Sequence, residues 1–277
     1  MKHEEEQYLE LLNLVLNKGK KRKDRTGVGT ISLFSPPDQI YDLSNGDFPL
    51  FTTKKMYFNG VKAETLWYLK GDDNIKFLKD NKCNIWNDWA DKDGNLGPLY
   101  PVQFCDVHEY DRKKQSITGK TINQVKNCIN LIKNFPNSRR ILINLYNVQE
   151  INFMALHPCH YAYNFYVDED YLNLKVIIRS NDLALGHPFN VAFASLFLSM
   201  ICQCTDKKPG KLVIDICDAH IYLNHIDKVK EQIKRKPFNF PKLSLNKNIK
   251  DIFEFKMDDI SIFDYKHHDT IKFDIAV

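Results

Sequence analysis

Leu9, Leu12 and Leu16 recur at helical spacing and predict a helix over residues 3–17, ended by Gly19. Runs rich in β-branched and aromatic residues then predict strands at 30–34 (TISLF) and 39–43 (QIYDL). The segment 60–71, GVKAETLWYLKG, reads as a helix closed by Gly71, and 121–135, TINQVKNCINLIKNF, as another stopped by Pro136. Strand-rich stretches follow at 141–146, 161–167 and 172–178. A long apolar helix is predicted over about 189–204, then a strand at 211–217, a helix around 223–235, and short strands near 260–263 and 271–275. Strands and helices mix without regular βαβ alternation, which predicts an α+β fold with a mixed sheet and flanking helices, not a doubly wound one. There is no internal repeat and no low-complexity linker, so residues 1–277 are expected to form one domain.

Composition narrows the class. With 43% hydrophobic and 27% charged residues, the chain has the balance of a soluble globular protein. No apolar run is expected to reach the ~18 residues of a membrane span, and the acidic start MKHEEEQYLELL lacks the layout of a secretory signal. A cytoplasmic location is therefore expected. A net charge of +4 does not by itself imply nucleic-acid binding, and the densest basic run, 18–25, reads as a solvated loop with Arg25 set apart. The seven cysteines are odd in number and scattered, which predicts free thiols. Cys202 and Cys204 lie two apart on a predicted helix and point in different directions, and Pro158-Cys159 has no second cysteine at zinc-deaminase spacing. No metal site is expected.

Four segments carry groups suited to chemistry. Cys159 sits in LHPCHY, next to His160; a cysteine becomes nucleophilic when cations and hydrogen-bond donors favour its thiolate, yet a lone cysteine between strands is more often core. In RSNDLALGHPFNVA, residues 179–192, Arg179 and Ser180 suit an anion, Asp182 accepts hydrogen bonds, and Asn190 both donates and accepts. Gly186 and Pro188 mark an irregular backbone leading into the apolar helix, a junction suited to ligand recognition. Arg139 and Arg140 enter a predicted strand, where adjacent side chains face opposite ways; they are either a solvated edge or a phosphate clamp. Arg25 lies in the glycine-bearing DRTGVGT, which carries no Walker or dinucleotide fingerprint.

Together these segments resemble the folate-dependent thymidylate synthase family over nearly the whole chain. The matching pieces occur in the family's order: DRTGVGT, FPLFTTKK, AETLWYLKGDDNI, IWNDWADKDGNLGPLY, PNSRR, MALHPCH, RSNDLALGHPFN, DAHIYLNHI and the terminal IAV. The resemblance implies reductive methylation of dUMP to dTMP, with 5,10-methylenetetrahydrofolate as co-substrate and dihydrofolate released. It implies that Cys159 attacks carbon 6 of the uracil ring, and that a water ordered by Glu64 and Tyr100 removes the carbon 5 proton. Arg25, Arg179 and Ser180 match phosphate ligands, and Arg139 and Arg140 match a pair donated by the other subunit of a homodimer. His220 and Tyr222 match groups on the deoxyribose hydroxyl, and Asn190 the reader of the pyrimidine edge. Asp182 matches a position serving both ligands; Lys54, Trp86 and the closing tail Ala276-Val277 match folate-side positions.

The chain also departs from the family pattern. YPVQFC at 100–105, with Pro101 and Phe104, stands where many members have glycine and then Gln-Trp-Arg. Tyr146 replaces a common tryptophan, Ile178 a glutamine, His187 an aliphatic residue and Asn87 an acidic one. These changes bear on affinity, not on reaction type. A deoxypyrimidine nucleotide hydroxymethylase is the nearest alternative; its dCMP-acting members carry Asp where this chain has Asn190, and they lack the water exclusion that Trp86 implies. An RNA-binding module is a second alternative, resting only on the basic run and lacking interleaved aromatics.

Overall fold

The computed structural model describes residues 3–275. The chain opens with α1 (Glu5–Lys18), whose Tyr8, Leu12 and Val15 are buried along one stripe. Then come β1 (Lys20–Arg22), β2 (Thr30–Phe34), β3 (Gln39–Asp42) and α2 (Phe58–Lys70). Gly71 ends α2 at φ 68°, and a Cβ there would sit 3.1 Å from the Cys105 Cβ, so both conformation and space call for glycine. Two short helices, α3 (Lys76–Asp80) and α4 (Tyr100–Cys105), precede a hairpin of β4 (Val107–Asp111) and β5 (Ser116–Ile122). The amphipathic α5 (Gln124–Asn134) leads to β6 (Leu142–Asn144), β7 (His160–Asp168) and β8 (Tyr171–Asp182). The chain closes with α6 (Gly186–Thr205), β9 (Lys208–Tyr222), α7 (Ile226–Ile233), and the paired β10 (Lys242–Leu245) and β11 (Ile260–Phe263).

Among the described residues, seven strands form one mixed sheet in the order β1-β2-β9-β8-β7-β6, with β3 also pairing β9. Every pairing is antiparallel except β8 with β9. A parallel pair needs a long crossover, and α6 supplies it. That helix is apolar nearly all round and almost wholly buried, as a helix packed inside a core must be. By length and composition it could cross a membrane, contrary to the expectation of no such stretch, but it is the central core helix of this fold. Along β8 and β9, Leu172, Leu174, Val176, Ile178, Leu212, Ile214 and Ile216 are buried on one face. On the opposite face Ile40, Leu142 and Tyr166 are 47%, 43% and 68% exposed.

Several expectations need correction. Lys20–Arg22, expected in a loop, form the exposed edge strand β1; lysines there keep their charges in water while the backbone pairs with β2. Thr121 and Ile122 belong to β5, because the Asn123 side chain accepts from the Lys126 amide and starts α5 only after it. Arg139 and Arg140 lie in a turn before β6. Gly186 and Pro188 are the first turn of α6 itself, not an irregular approach to it. Strands β8 and β9 run further than their apolar cores, since the ladder continues through Ser180–Asp218, Asn181–Ala219 and Asp182–His220. Residues 271–275 pair with no strand: Ile271 and Phe273 are buried and Lys272 and Asp274 exposed, so the chain alternates like a strand while lying over side chains instead of a ladder. The helix α4, the β4–β5 hairpin and β10 carried no pattern long enough to predict.

The buried Glu5 links α1 to the loop before α2. Its carboxylate accepts from the Thr52 amide (2.8 Å), the Thr52 hydroxyl (2.7 Å) and the Thr53 amide (2.8 Å). Glu5→Ala would leave these donors unmatched and is expected to lower the unfolding free energy by about 3 kcal/mol, read from the urea midpoint. An unchanged midpoint would show that the loop finds other partners at no cost.

Candidate active site

The site forms where the parallel strands end. β8 and β9 finish side by side, the first turn of α6 starts just beyond β8, and the β1–β2 loop closes over them. A cavity of about 370 Å³ opens there. It is lined by Arg25, Glu64, Trp86, Tyr100, Cys159, Arg179, Ser180, Asp182, Asn190, His220 and Tyr222, all residues expected to act together.

Cys159 precedes β7 and opens onto the cavity. Its backbone amide donates to the Tyr100 hydroxyl at 2.6 Å. This contact depends on Gly97: at φ 70° a Cβ would lie 2.0 Å from the Phe153 carbonyl oxygen, so only glycine lets the chain before Tyr100 pack against residues 153–154. Arg179 Nη2 stands 3.9 Å from the Cys159 sulfur. The same guanidinium is held by the carbonyls of His157 (2.8 Å) and Pro158 (2.9 Å). Burial raises the Cys159 thiol above its ordinary value, while Arg179, Tyr100 and Arg25 pull it down and Asp182 opposes them. Desolvation outweighs the cations.

His160 is a site residue that sequence reasoning left without a role. It stacks on Tyr100 with ring centroids 4.4 Å apart, and its Nδ1 lies 2.7 Å from the Tyr163 hydroxyl. Burial holds its pKa down to about 3, so it is neutral and is not the cation beside the thiol. Adjacency to the cysteine was the visible signal; the strand's alternation turns the ring into the core.

Glu64 projects from α2 toward the cavity, and Trp86 Nε1 donates to its Oε1 at 2.8 Å. Burial pushes its carboxyl up to about 7 against the opposing pull of that bond, a value suited to passing protons near neutrality. Because the folded value exceeds the ordinary 4.5, the native state keeps a proton that the unfolded chain has released. Stability therefore falls as pH rises from 4.5 to 7, at a limiting slope of about 1.4 kcal/mol per pH unit. Glu64→Gln keeps an oxygen for Trp86 and removes the titration. Its stability relative to the parent is expected to rise through that window by up to about 3 kcal/mol, while turnover falls by orders of magnitude. Parallel stability–pH curves would refute the raised carboxyl.

The remaining groups have local reasons for their places. In the Arg25 loop, Asp24 accepts from the Thr26 hydroxyl (2.6 Å) and the Gly29 amide (2.8 Å), shaping the turn that carries the exposed arginine. Asp182 accepts from the Ala184 amide at 2.8 Å and turns the chain into α6. Asn190 Nδ2 donates to Asn181 Oδ1 at 3.2 Å. His220 Nδ1 lies 3.1 Å from Asp218, whose carboxyl is lowered chiefly by that bond; burial raises the Tyr222 hydroxyl to about 12. Ile85, Trp89, Leu156, Leu185, Phe189 and Ile275 add apolar lining to the cavity, none of them foreseen individually.

Three of the expected residues that the structure describes, Lys54, Arg139 and Arg140, are not among the cavity's lining. Lys54 is buried outside the cavity lining, its Nζ bonded to the Ala184 carbonyl and 4.7 Å from the Phe273 ring centre, and burial lowers it to about 8. Arg139 borders a groove on the exposed sheet face with Asn164, Tyr166, Lys175 and Val213, and Arg140 is exposed beside it. Ala276 and Val277 lie outside the described residues. Of the departing positions, Phe104 and Ile178 are buried in the core, and Tyr146 packs edge-on to His157 at 6.3 Å.

Comparison with known proteins shows the family. A family model described as thymidylate synthase matches residues 6–277. A thymidylate synthase of Mycoplasma mobile is 42% identical over 301 residues, covering 98% of this chain and 100% of that protein. A thymidylate synthase of Buchnera aphidicola subsp. Baizongia pistaciae is 43% identical over 270 residues, covering 98% of this chain and 99% of that one.

Proposed function

The chain belongs to the thymidylate synthase family, and from that premise we propose that Cys159 is the nucleophile of a dUMP-methylating enzyme. The reaction is the reductive methylation of dUMP to dTMP. The observation that carries the residue assignments is the convergence of a thiol, two arginines, a carboxyl raised to about 7 and an amide on one cavity.

The division of labour follows from the chemistry of each group. Arg25, Arg179 and Ser180 take the phosphate, and His220 and Tyr222 the sugar hydroxyl. Asn190 reads the pyrimidine edge, placing carbon 6 against the Cys159 sulfur. Attack there moves electron density to carbon 5, which becomes the nucleophile toward the one-carbon unit. Glu64, with Tyr100, then relays the carbon 5 proton through water. Methylenetetrahydrofolate supplies the one-carbon unit and the hydride, leaving as dihydrofolate, and the Cys159 thiolate is expelled from carbon 6 as the ring double bond re-forms. The aromatic and aliphatic wall formed by Trp86, Trp89, Leu156, Phe189 and Ile275 fits its flat ring system and excludes water from the reacting carbon. Trp86 at that wall and an amide at Asn190 both favour methylation over hydroxymethylation. Ala276 and Val277 complete the closing tail in this reading.

A homodimer is part of the proposal. The exposed sheet face bearing Ile40, Leu142 and Tyr166 suits burial against a second copy, and Arg139 stands at its rim. Across a two-fold axis Arg139 and Arg140 would reach the neighbour's phosphate site. A cytoplasmic location belongs to the same reading. The direct test is incubation with dUMP and methylenetetrahydrofolate while following dihydrofolate absorbance. Product formation without that absorbance would point to the hydroxymethylase, and no reaction would reject the proposal.

A further inference from the structure

Behind Asn190 a file of polar side chains runs from the cavity into the core. Asn190 Nδ2 donates to Asn181 Oδ1 at 3.2 Å, and Asn181 Nδ2 donates to His187 Nδ1 at 2.9 Å. Asn181 and His187 are both buried. The His187 ring is fixed by stacking on Tyr8, with centroids 5.5 Å apart at 17°, and by Phe51 at 6.1 Å. Its other nitrogen, Nε2, is buried without a partner among the described residues. An unmatched buried polar atom costs about 1–3 kcal/mol, so stability alone is a poor reason for a histidine here.

The file has a direction. A neutral amide has a donor end and an acceptor end, and either can face a given neighbour after a half-turn. His187 breaks the symmetry. Burial holds its pKa down to about 3, so the ring is neutral with one bare nitrogen. The Asn181 amide nitrogen stands at Nδ1, which makes Nδ1 the bare nitrogen and Nε2 the protonated one, and the Asn181 oxygen is left facing Asn190. Asn190 must then turn its NH2 toward Asn181, which leaves its own oxygen and a second N–H for the cavity. Uracil presents a ring N–H and a carbonyl oxygen, the complement of that pair. Cytosine presents a bare ring nitrogen and an amino group, which would meet the amide oxygen and N–H in the wrong order.

We propose that His187, acting through Asn181, is a positioning residue that fixes the orientation of the Asn190 amide and so sets the choice of uracil over cytosine. The proposal rests on Asn190 reading the base. His187 touches no substrate; its influence passes through two hydrogen bonds, and loss of either frees Asn190 to present its donor end to cytosine.

The test is the affinity of dUMP and of dCMP, each measured by calorimetry on the full-length enzyme and on four variants. His187→Leu removes both nitrogens at similar volume, and His187→Phe also keeps a ring against Tyr8. Asn181→Ser breaks the file at its middle link, and Asn190→Ala removes the reader. The preference for dUMP is expected to shrink about tenfold in each folded His187 or Asn181 variant, through weaker dUMP binding with dCMP binding held or improved. A purely structural histidine would weaken both nucleotides together, and that result, or an unchanged preference, overturns the proposal. If Asn190→Ala also keeps the preference, the base-reading role itself has failed. If only Asn190→Ala loses it, the role stands and the file does not control it.

Discussion

Cys159→Ala is expected to end turnover, by about four orders of magnitude or more, while dUMP binding stays measurable. The two effects separate because different groups produce them. Arg25, Arg179, Asn190 and Tyr222 line the same cavity as the thiol and remain in the variant. Without sulfur, carbon 5 never becomes a nucleophile, so the one-carbon unit has nothing to join. The parent enzyme given 5-fluoro-dUMP and methylenetetrahydrofolate should stall as a covalent adduct, since fluorine does not leave as a proton does. Peptide mass spectrometry should place that adduct on Cys159. The other six cysteines provide an internal control: all are free thiols, and five are buried, with Cys217 exposed. An adduct on Cys217, or turnover surviving the alanine, would sink the assignment.

The second large effect is recovery of activity from two dead parents. Arg139 borders the exposed sheet face, not the cavity of its own chain. If a two-fold axis carries it to the neighbour's phosphate site, Arg139→Glu damages the partner's site, whereas Cys159→Ala damages its own. In the mixed dimer one site holds both lesions and the other holds neither. Random exchange of equal amounts makes half the dimers mixed, each with one intact site, so about a quarter of the unmutated enzyme's activity is expected. Activity that stays at the level of the parents, with mixed dimers confirmed by native mass spectrometry, would refute donation in trans.

The sequence shows the fold best where burial imposes a period. Leu9 and Leu12 on α1, and the alternation of Leu172, Leu174, Val176 and Ile178 on β8, follow directly from which side chains must leave water. The ends of β8 and β9 were hidden because ladder hydrogen bonds extend through polar residues such as Ser180 and His220, which carry no hydrophobic signal. The candidate chemistry was legible mainly through ordered motifs, since no local pattern brings Glu64, Tyr100 and Cys159 together. What remained invisible were pairings across long sequence distance: Trp86 on Glu64, His160 on Tyr100 and Trp89 in the wall. The bond from Lys54 to the Ala184 carbonyl was hidden for a related reason: a motif match does not say which way a buried side chain turns.

Residues 273–274 are fastened from just beyond the site's own strand. Just past β9, His225 takes the Asp274 carbonyl on Nε2 at 2.8 Å and meets Phe273 at 5.0 Å, while its other side faces Tyr222 at 5.6 Å. Ile275, one residue beyond that bond, reaches the cavity that Arg25 also lines. The pocket thus draws on residues from Arg25 to Ile275, so no fragment much shorter than that span contains it. An intermediate that has not yet brought Arg25, Cys159 and Tyr222 together has an incomplete nucleotide site, so dUMP is expected to add its binding energy chiefly to the finished molecule. Ligand concentration then acts on the last stage of folding, raising the midpoint of thermal unfolding as the nucleotide pool rises. In a cell, scarcity of the substrate would shorten the enzyme's lifetime as well as slow its reaction.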